Sequence, residues 1–166
     1  MNKQKGFSLI ELLIVVAIIL IIAAIAIPNL MRSRMAANES SAVGSVRTIN
    51  TAMVTYAASF PDTGYALTLT NLGGTTAACA PGAVATVAAS CLIDSLLSVT
   101  QQKSGYKFVA AGVATAGSTT NNTYTASAVP LSIGATGNRG FFSDQSGVIR
   151  YTLNGTIPTT ASSPLQ

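Results

Sequence analysis

The chain predicts an α+β fold: one long N-terminal helix, apolar on all sides in its first half and amphipathic in its second, packed on an antiparallel sheet of about four strands. Three observations carry this. Leu12 to Ile27 holds no polar side chain. Ala42, Val46, Ile49, Met53, Tyr56 and Phe60 recur at alternating spacings of four and three, the period of one helical face. Four β-prone runs then follow one another: Tyr106–Ala111, Thr123–Val129, Arg139–Ser143 and Val148–Leu153.

The helix begins after a short basic head, Met1 to Lys5, and the residues Gly6-Phe7-Ser8-Leu9-Ile10-Glu11. With Phe7 to Ile10, the apolar run approaches the ~20 residues needed to span ~30 Å of hydrocarbon. Lys3 and Lys5 place the N-terminus in the cytoplasm by the positive-inside bias. The bland alternative is a cleaved secretory signal. Ile25-Ala26-Ile27-Pro28 lacks a clean small-residue cleavage pattern, and Glu11 is out of place in such a core. Glu11 is the one ionisable residue between Phe7 and Ile27. A carboxylate near the end of a spanning helix costs a few kcal/mol unless something pairs with it, so a partner is implied.

Pro28 removes one helix hydrogen bond and crowds the preceding turn, predicting a kink in a lone helix. Gly44 is a weak point in the amphipathic half. Arg32, Arg34, Glu39 and Arg47 are expected to be solvated or to pair between subunits. Pro61-Asp62-Thr63-Gly64 ends the helix. From Phe7 to Phe60 it would run roughly 80 Å at 1.5 Å per residue. A chain of 166 residues cannot bury that length. The first half must lie in lipid or against copies of itself.

Tyr65 to Ser90 reads as a connection with at most a short helix. Leu92, Ile93, Leu96, Leu97 and Val99 predict a second helix from about Cys91 to Lys103, stopped by Gly105. Gln145-Ser146-Gly147 is a hairpin turn between the last two strands. Thr156 to Gln166 is rich in Ser, Thr and Pro and reads as irregular.

Composition narrows the function. Only 8% of residues are charged, and Lys3 and Lys5 supply half of the net +4, so no direct nucleic-acid binding is expected. The chain has no His, and no four-ligand zinc set can be assembled. Gly134-x-x-Gly137-x-x-Gly140 lacks the βαβ setting of a dinucleotide site and reads as a flexible turn before a strand. Asp62, Asp94 and Asp144 are scattered, with no sign of an acid pair. Ser143, Asp144 and Ser146 offer one acid, a poor set for calcium. Asn38, Asn121 and Asn154 begin Asn-x-Ser/Thr triplets, which arise by chance in such a composition. No enzyme, cofactor or metal is expected. Cys79 and Cys91 lie in the part outside the membrane, where oxidation favours a disulfide over two small buried thiols. It would be worth on the order of 3 kcal/mol by chain entropy.

Lys5 to Ile19, Lys-Gly-Phe-Ser-Leu-Ile-Glu-Leu-Leu-Ile-Val-Val-Ala-Ile-Ile, resembles the prepilin signature of type IV pilins and type II secretion pseudopilins. The resemblance covers roughly the first 30 residues. It implies cleavage after Gly6 by a membrane aspartyl prepilin peptidase and N-methylation of Phe7. Glu11 corresponds to the family's glutamate at the fifth position of the mature chain, and Pro28 to its helix-kinking proline. The order of helix, loop and sheet is also that of the pilin fold. Domains then run 1–6 (leader), 7–30 (transmembrane and polymerisation helix) and 31–166 (periplasmic head). The implied partners are other subunits, in a homo- or hetero-polymeric filament, the peptidase and an inner-membrane assembly platform.

Elementary electrostatics fits. If Glu11 of one subunit meets the Phe7 amine of a neighbour, each charge offsets the other's desolvation and sets an axial register. The family's filaments can also unwind before the proline, here between Ala17 and Pro28. One departure is that both cysteines precede the sheet, whereas type IVa pilins often carry a disulfide near the C-terminus. The expected function is a pilus subunit; the alternative is a pseudopilin that drives protein export. A single-pass protein carrying an unrelated periplasmic enzyme or binding module is a third class, disfavoured by the lack of His and of paired acids.

Overall fold

The computed structural model describes residues 7–165. Helix α1 runs unbroken from Leu9–Ser59. A single turn, α2, follows at Leu69–Leu72, and a π-helical turn at Leu96–Thr100. The strands are β1 (Gln102–Lys103), β2 (Tyr106–Val113), β3 (Thr123–Pro130), β4 (Gly140–Asp144) and β5 (Arg150–Thr152). They form one antiparallel sheet in the order β1-β2-β3-β4-β5. By compactness the chain divides into Met1–Arg34 and Met35–Gln166.

In the second unit every residue of the predicted stripe from Ala42 to Tyr56 is buried, and Phe60 is half-buried. Opposite lies the inner face of the sheet, with Tyr106, Phe108, Tyr124 and Phe141 fully buried. Cross-strand register explains how the layers fit. Phe108, Ala128 and Phe141 form one row, and Ala110, Ala126 and Ser143 the next. Small residues between large ones leave grooves that helix side chains fill. Asn50 Nδ2 donates to the buried Ser143 Oγ at 2.8 Å, which fixes α1 against β4. At Gly112 of β2, an added Cβ would meet the carbonyls of Tyr65 and Ala66 at 2.7 Å, so that position needs glycine.

The ends of α1 follow its residues. Phe60 and Gly64 close the last turn, with Gly64 N–H donating to the Phe60 carbonyl at 3.0 Å and Gly64 at φ +75°. Gly147 takes φ +72° in the predicted turn after β4, as an L side chain would do only with strain. The sheet has gained β1, a two-residue strand paired with the start of β2.

Two expectations are corrected. The helix predicted over Cys91 to Lys103 is reduced to Leu96–Thr100. Its first residues are held out of the helix: Leu92 N–H donates to the Leu72 carbonyl at 2.7 Å, and Cys91 takes the left-handed φ of +57°. The turn starts only where Asp94 Oδ1 accepts from Leu97 N–H at 2.9 Å, and it ends at the left-handed Gln101. The tail is also less irregular than its composition implies. Tyr151 N–H donates to Ser163 O at 3.0 Å, and Leu165 N–H to Ile149 O at 2.7 Å. These bonds satisfy the open edge of β5.

Candidate assembly site

The first unit presents its apolar side chains outward. Phe7 is 80% exposed, and the large aliphatic residues from Leu9 to Met31 are all exposed. In water each buried Leu or Ile releases about 1.5–3 kcal/mol, so a face of this extent calls for lipid or partner helices. Pro28 lies inside the helix, which remains continuous across the Ala17–Pro28 segment. The unwinding considered for a filament is therefore not a property of the single chain described.

At the start of α1 the structure adds something the sequence reading missed. Ser8 N–H donates to Glu11 Oε2 at 3.0 Å, and the Ser8 carbonyl accepts from Glu11 and Leu12 N–H at 3.1 and 3.2 Å. Ser8-x-x-Glu11 thus forms the glutamate half of a capping box, satisfying a backbone donor that lipid cannot. The Ser-x-x-Glu spacing was the available signal. Phe7 lies just ahead of α1, and Glu11 lies in its first turn. Gly6 lies outside the described residues.

Arg32, Arg34 and Arg47 are exposed on α1, in keeping with the solvated reading. Glu39 is not solvated, and that expectation is corrected. It is only 7% exposed. Its Oε1 accepts from the backbone N–H groups of Asn138 (2.8 Å) and Arg139 (3.2 Å), and its Oε2 from Arg139 Nε (2.7 Å). Burial pushes the Glu39 carboxyl up. The Asn138 amide, the Arg139 side chain and the Arg139 amide outweigh it and hold the group below the usual carboxylate range. The Arg139 guanidinium also lies 5.7 Å from the Phe141 ring centroid and 5.9 Å from that of Tyr151. Tyr106 donates to the Arg139 carbonyl at 2.9 Å, and burial, then Glu39, push its hydroxyl well above the ordinary value.

This clasp gives the Gly134–Gly140 stretch its purpose. The stretch folds around Glu39 as the β3–β4 connection, tied further by Asn38 Nδ2 to the Thr136 carbonyl at 2.9 Å. A Cβ on Gly137 would collide with the Tyr106 hydroxyl.

Cys79 and Cys91 form a disulfide, with Cα atoms 5.6 Å apart. It staples the helix-to-sheet connection, as the placement of the cysteines implied. The enclosed Val87 carbonyl accepts from Tyr56 Oη (2.8 Å) and Asn71 Nδ2 (3.0 Å), which ties the loop to the core. Asp144 Oδ1 is taken by the N–H (2.9 Å) and hydroxyl (2.5 Å) of Ser146 in its own turn. Among the described residues no three His, Cys, Asp or Glu side chains are placed to hold a metal ion.

A membrane-length apolar helix bearing one carboxylate near its start, followed by a helix packed on an antiparallel sheet, is consistent with an α+β pilin fold. The family model described as the prokaryotic N-terminal methylation motif matches residues 1–27. The chain is 60% identical over 40 residues to the type IV wide pilus major component PilA4 of Thermus thermophilus, covering 24% of this chain and 30% of that one. It is 44% identical over 54 residues to the type IV major pilin protein PilA of Myxococcus xanthus, covering 32% and 24%. It is 34% identical over 55 residues to the type II secretion system core protein G of Escherichia coli, covering 33% and 38%. The chain thus spans between a quarter and two fifths of these relatives' lengths. No solved structure matches significantly. Over its N-terminal third, the chain is thus similar to type IV pilins and to a type II secretion pseudopilin, and its methylation motif supports that likeness.

Proposed function

We propose that the chain is the structural subunit of a type IV pilus. A prepilin peptidase cuts after Gly6, Phe7 is N-methylated, and subunits polymerise through α1 at an inner-membrane assembly platform. The observation that carries this reading is the charge-free stretch from Leu12 to Met31, whose large apolar side chains are all exposed, following a single carboxylate. The leader occupies 1–6, the membrane and polymerisation segment 7–30, and the periplasmic head 31–166. The role is structural, with no catalytic group invoked. Before processing the N-terminus is cytoplasmic; afterwards the chain resides in a surface filament.

In the filament, Glu11 exchanges its Ser8 amide for the Phe7 amine of a neighbour. The gain is a charge-assisted bond in a low-dielectric bundle, where it sets the axial step between subunits. Pro28 supplies the point at which the packed helix yields.

The likeness to a type II secretion core protein supports a second reading, a pseudopilin. The 8% charge and the Asp144 carboxylate, engaged by its own turn, favour the pilin. Shearing intact cells and identifying this chain by mass spectrometry separates the two. Long extracellular filaments whose subunits begin at methylated Phe7 support the pilus. The same processed chain confined to the envelope, with secretion lost on its deletion, supports the pseudopilus instead.

A further inference from the structure

We propose that Arg32 and Arg34 form a collar that binds the phosphate groups of anionic phospholipids in the outer leaflet and sets the depth of α1 before assembly. This rests on the membrane-spanning reading above.

Depth is the first argument. Glu11 and Arg32 bound the charge-free part of α1. At 1.5 Å per residue they stand about 32 Å apart along the helix, close to the ~30 Å of a bilayer's hydrocarbon. With Glu11 at the inner boundary, Arg32 reaches the outer phosphate plane, and Arg34 lies about 3 Å beyond it.

Direction is the second. Residues two apart on a helix point to opposite sides, so the two guanidinium groups cannot converge on one acceptor. A leaflet surrounds the helix and supplies phosphates on both sides. Guanidinium binds phosphate bidentately, and helical spacing puts Leu30 and Met31, four and three residues back, on the face that carries the aliphatic stem of Arg34.

Charge accounting is the third. Arg32 and Arg34 are exposed, and neither makes an ion pair among the described residues. The chain's acids are Glu11, Glu39, Asp62, Asp94 and Asp144. Glu39 is bound by Arg139 and Asp94 by Lys103. Asp144 is engaged in its turn, and Glu11 is the assembly carboxylate. A second copy therefore offers little besides Asp62 to neutralise two outward arginines. Basic residues just beyond a span also oppose the orientation signal from Lys3 and Lys5. A favourable outer-leaflet contact offsets that cost.

The chain has no Trp, so a single Trp reports cleanly. The full chain carrying Ser33→Trp, between the two arginines, is reconstituted in vesicles containing either brominated phosphatidylglycerol or brominated phosphatidylcholine. A parallel chain carries Leu13→Trp inside the apolar run. We expect the Ser33→Trp signal to be quenched more effectively by phosphatidylglycerol, by about fivefold for each arginine engaged. The preference should vanish in Arg32→Gln/Arg34→Gln and fall with added salt. Equal quenching by the two lipids, or a preference that survives the double substitution, overturns the collar. In either case, quenching of the Leu13→Trp chain by both lipids leaves the spanning reading standing. If that chain is not quenched, the spanning reading fails and the collar with it. Lost filament assembly in the double variant without any lipid preference assigns the arginines to neighbouring subunits and likewise overturns the proposal.

Discussion

Removing the Glu39 carboxylate tests the account of the head most directly. Glu39→Ala deletes the acceptor of two backbone amides and of the Arg139 Nε bond at 2.7 Å. Breaking a buried ion pair by removing one partner costs about 3–5 kcal/mol. The Arg139 side chain is 35% exposed, so water replaces part of what it loses. The expected loss is about 2–3 kcal/mol, with water also reaching the freed loop amides. Glu39→Gln can still accept from the amides but loses the charge-assisted bond, and should fall about 1–2 kcal/mol.

The assay is urea denaturation of the full chain in mild detergent, followed by tyrosine near-ultraviolet dichroism. The clasp touches Tyr106 through Arg139, so the signal reports the affected region. The pH dependence provides a second check. The folded Glu39 titrates below its ordinary range, so its stabilisation is fully present above the unfolded value of about 4.3. It is lost as pH falls through the folded value. The gap between wild type and Glu39→Gln should be constant near neutrality and close in acid. A Glu39→Ala variant within about 0.5 kcal/mol of wild type, or a gap that does not close at low pH, would refute the clasp.

Three further outcomes follow from the same geometry. Cys79→Ser/Cys91→Ser should lower stability by about 3 kcal/mol and speed amide exchange at Val87 and its neighbours; unchanged urea midpoints would contradict the staple. Gly137→Ala should displace Tyr106, costing about 1–3 kcal/mol in the same denaturation assay, while Gly82→Ala, with open space but φ +88°, tests backbone strain without the clash. Glu11→Ala should leave membrane insertion intact and reduce filament yield, measured by shearing and quantifying pilin; normal yield would remove the register argument.

What could be read without coordinates was what periodicity encodes. The stripe from Ala42 to Phe60 specified the buried face of α1, and β-branched and aromatic runs located β2 to β5. The N-terminal motif was legible because spacing and residue type together are specific. Glu39 shows where such reading stops. One more step of the same spacing back from Ala42 lands on Glu39, so its burial was within reach. Its partner was not: Arg139 is brought to it only by the path of β3 and β4. The second helix failed for a similar reason. Leu92 to Val99 has helical spacing, yet the disulfide and the Leu72 carbonyl hold its first residues out of the helix. Tertiary contacts there override a short local preference.

The composition of α1 argues that its first half was never meant for water. From Ile14 to Ile27 most positions are Ile or Val, residues that lose side-chain freedom in a helix and favour strands when half-exposed. In hydrocarbon that preference is overruled, because every backbone N–H and C=O must find a partner within the segment. The same branched side chains then present a stiff, knobbed surface that loses little further entropy when copies pack together. Glu11 fits the proposed function: its bond to the Ser8 amide would lower the cost of a carboxylate in the bilayer and would yield to a stronger cationic partner. Pro28 leaves the Ala24 carbonyl without its usual donor, which makes this the weakest backbone link of the apolar half of α1. Under the proposed function, these features answer the three requirements of a subunit moving from membrane to filament: stability in lipid, packing against copies of itself, and a point that yields.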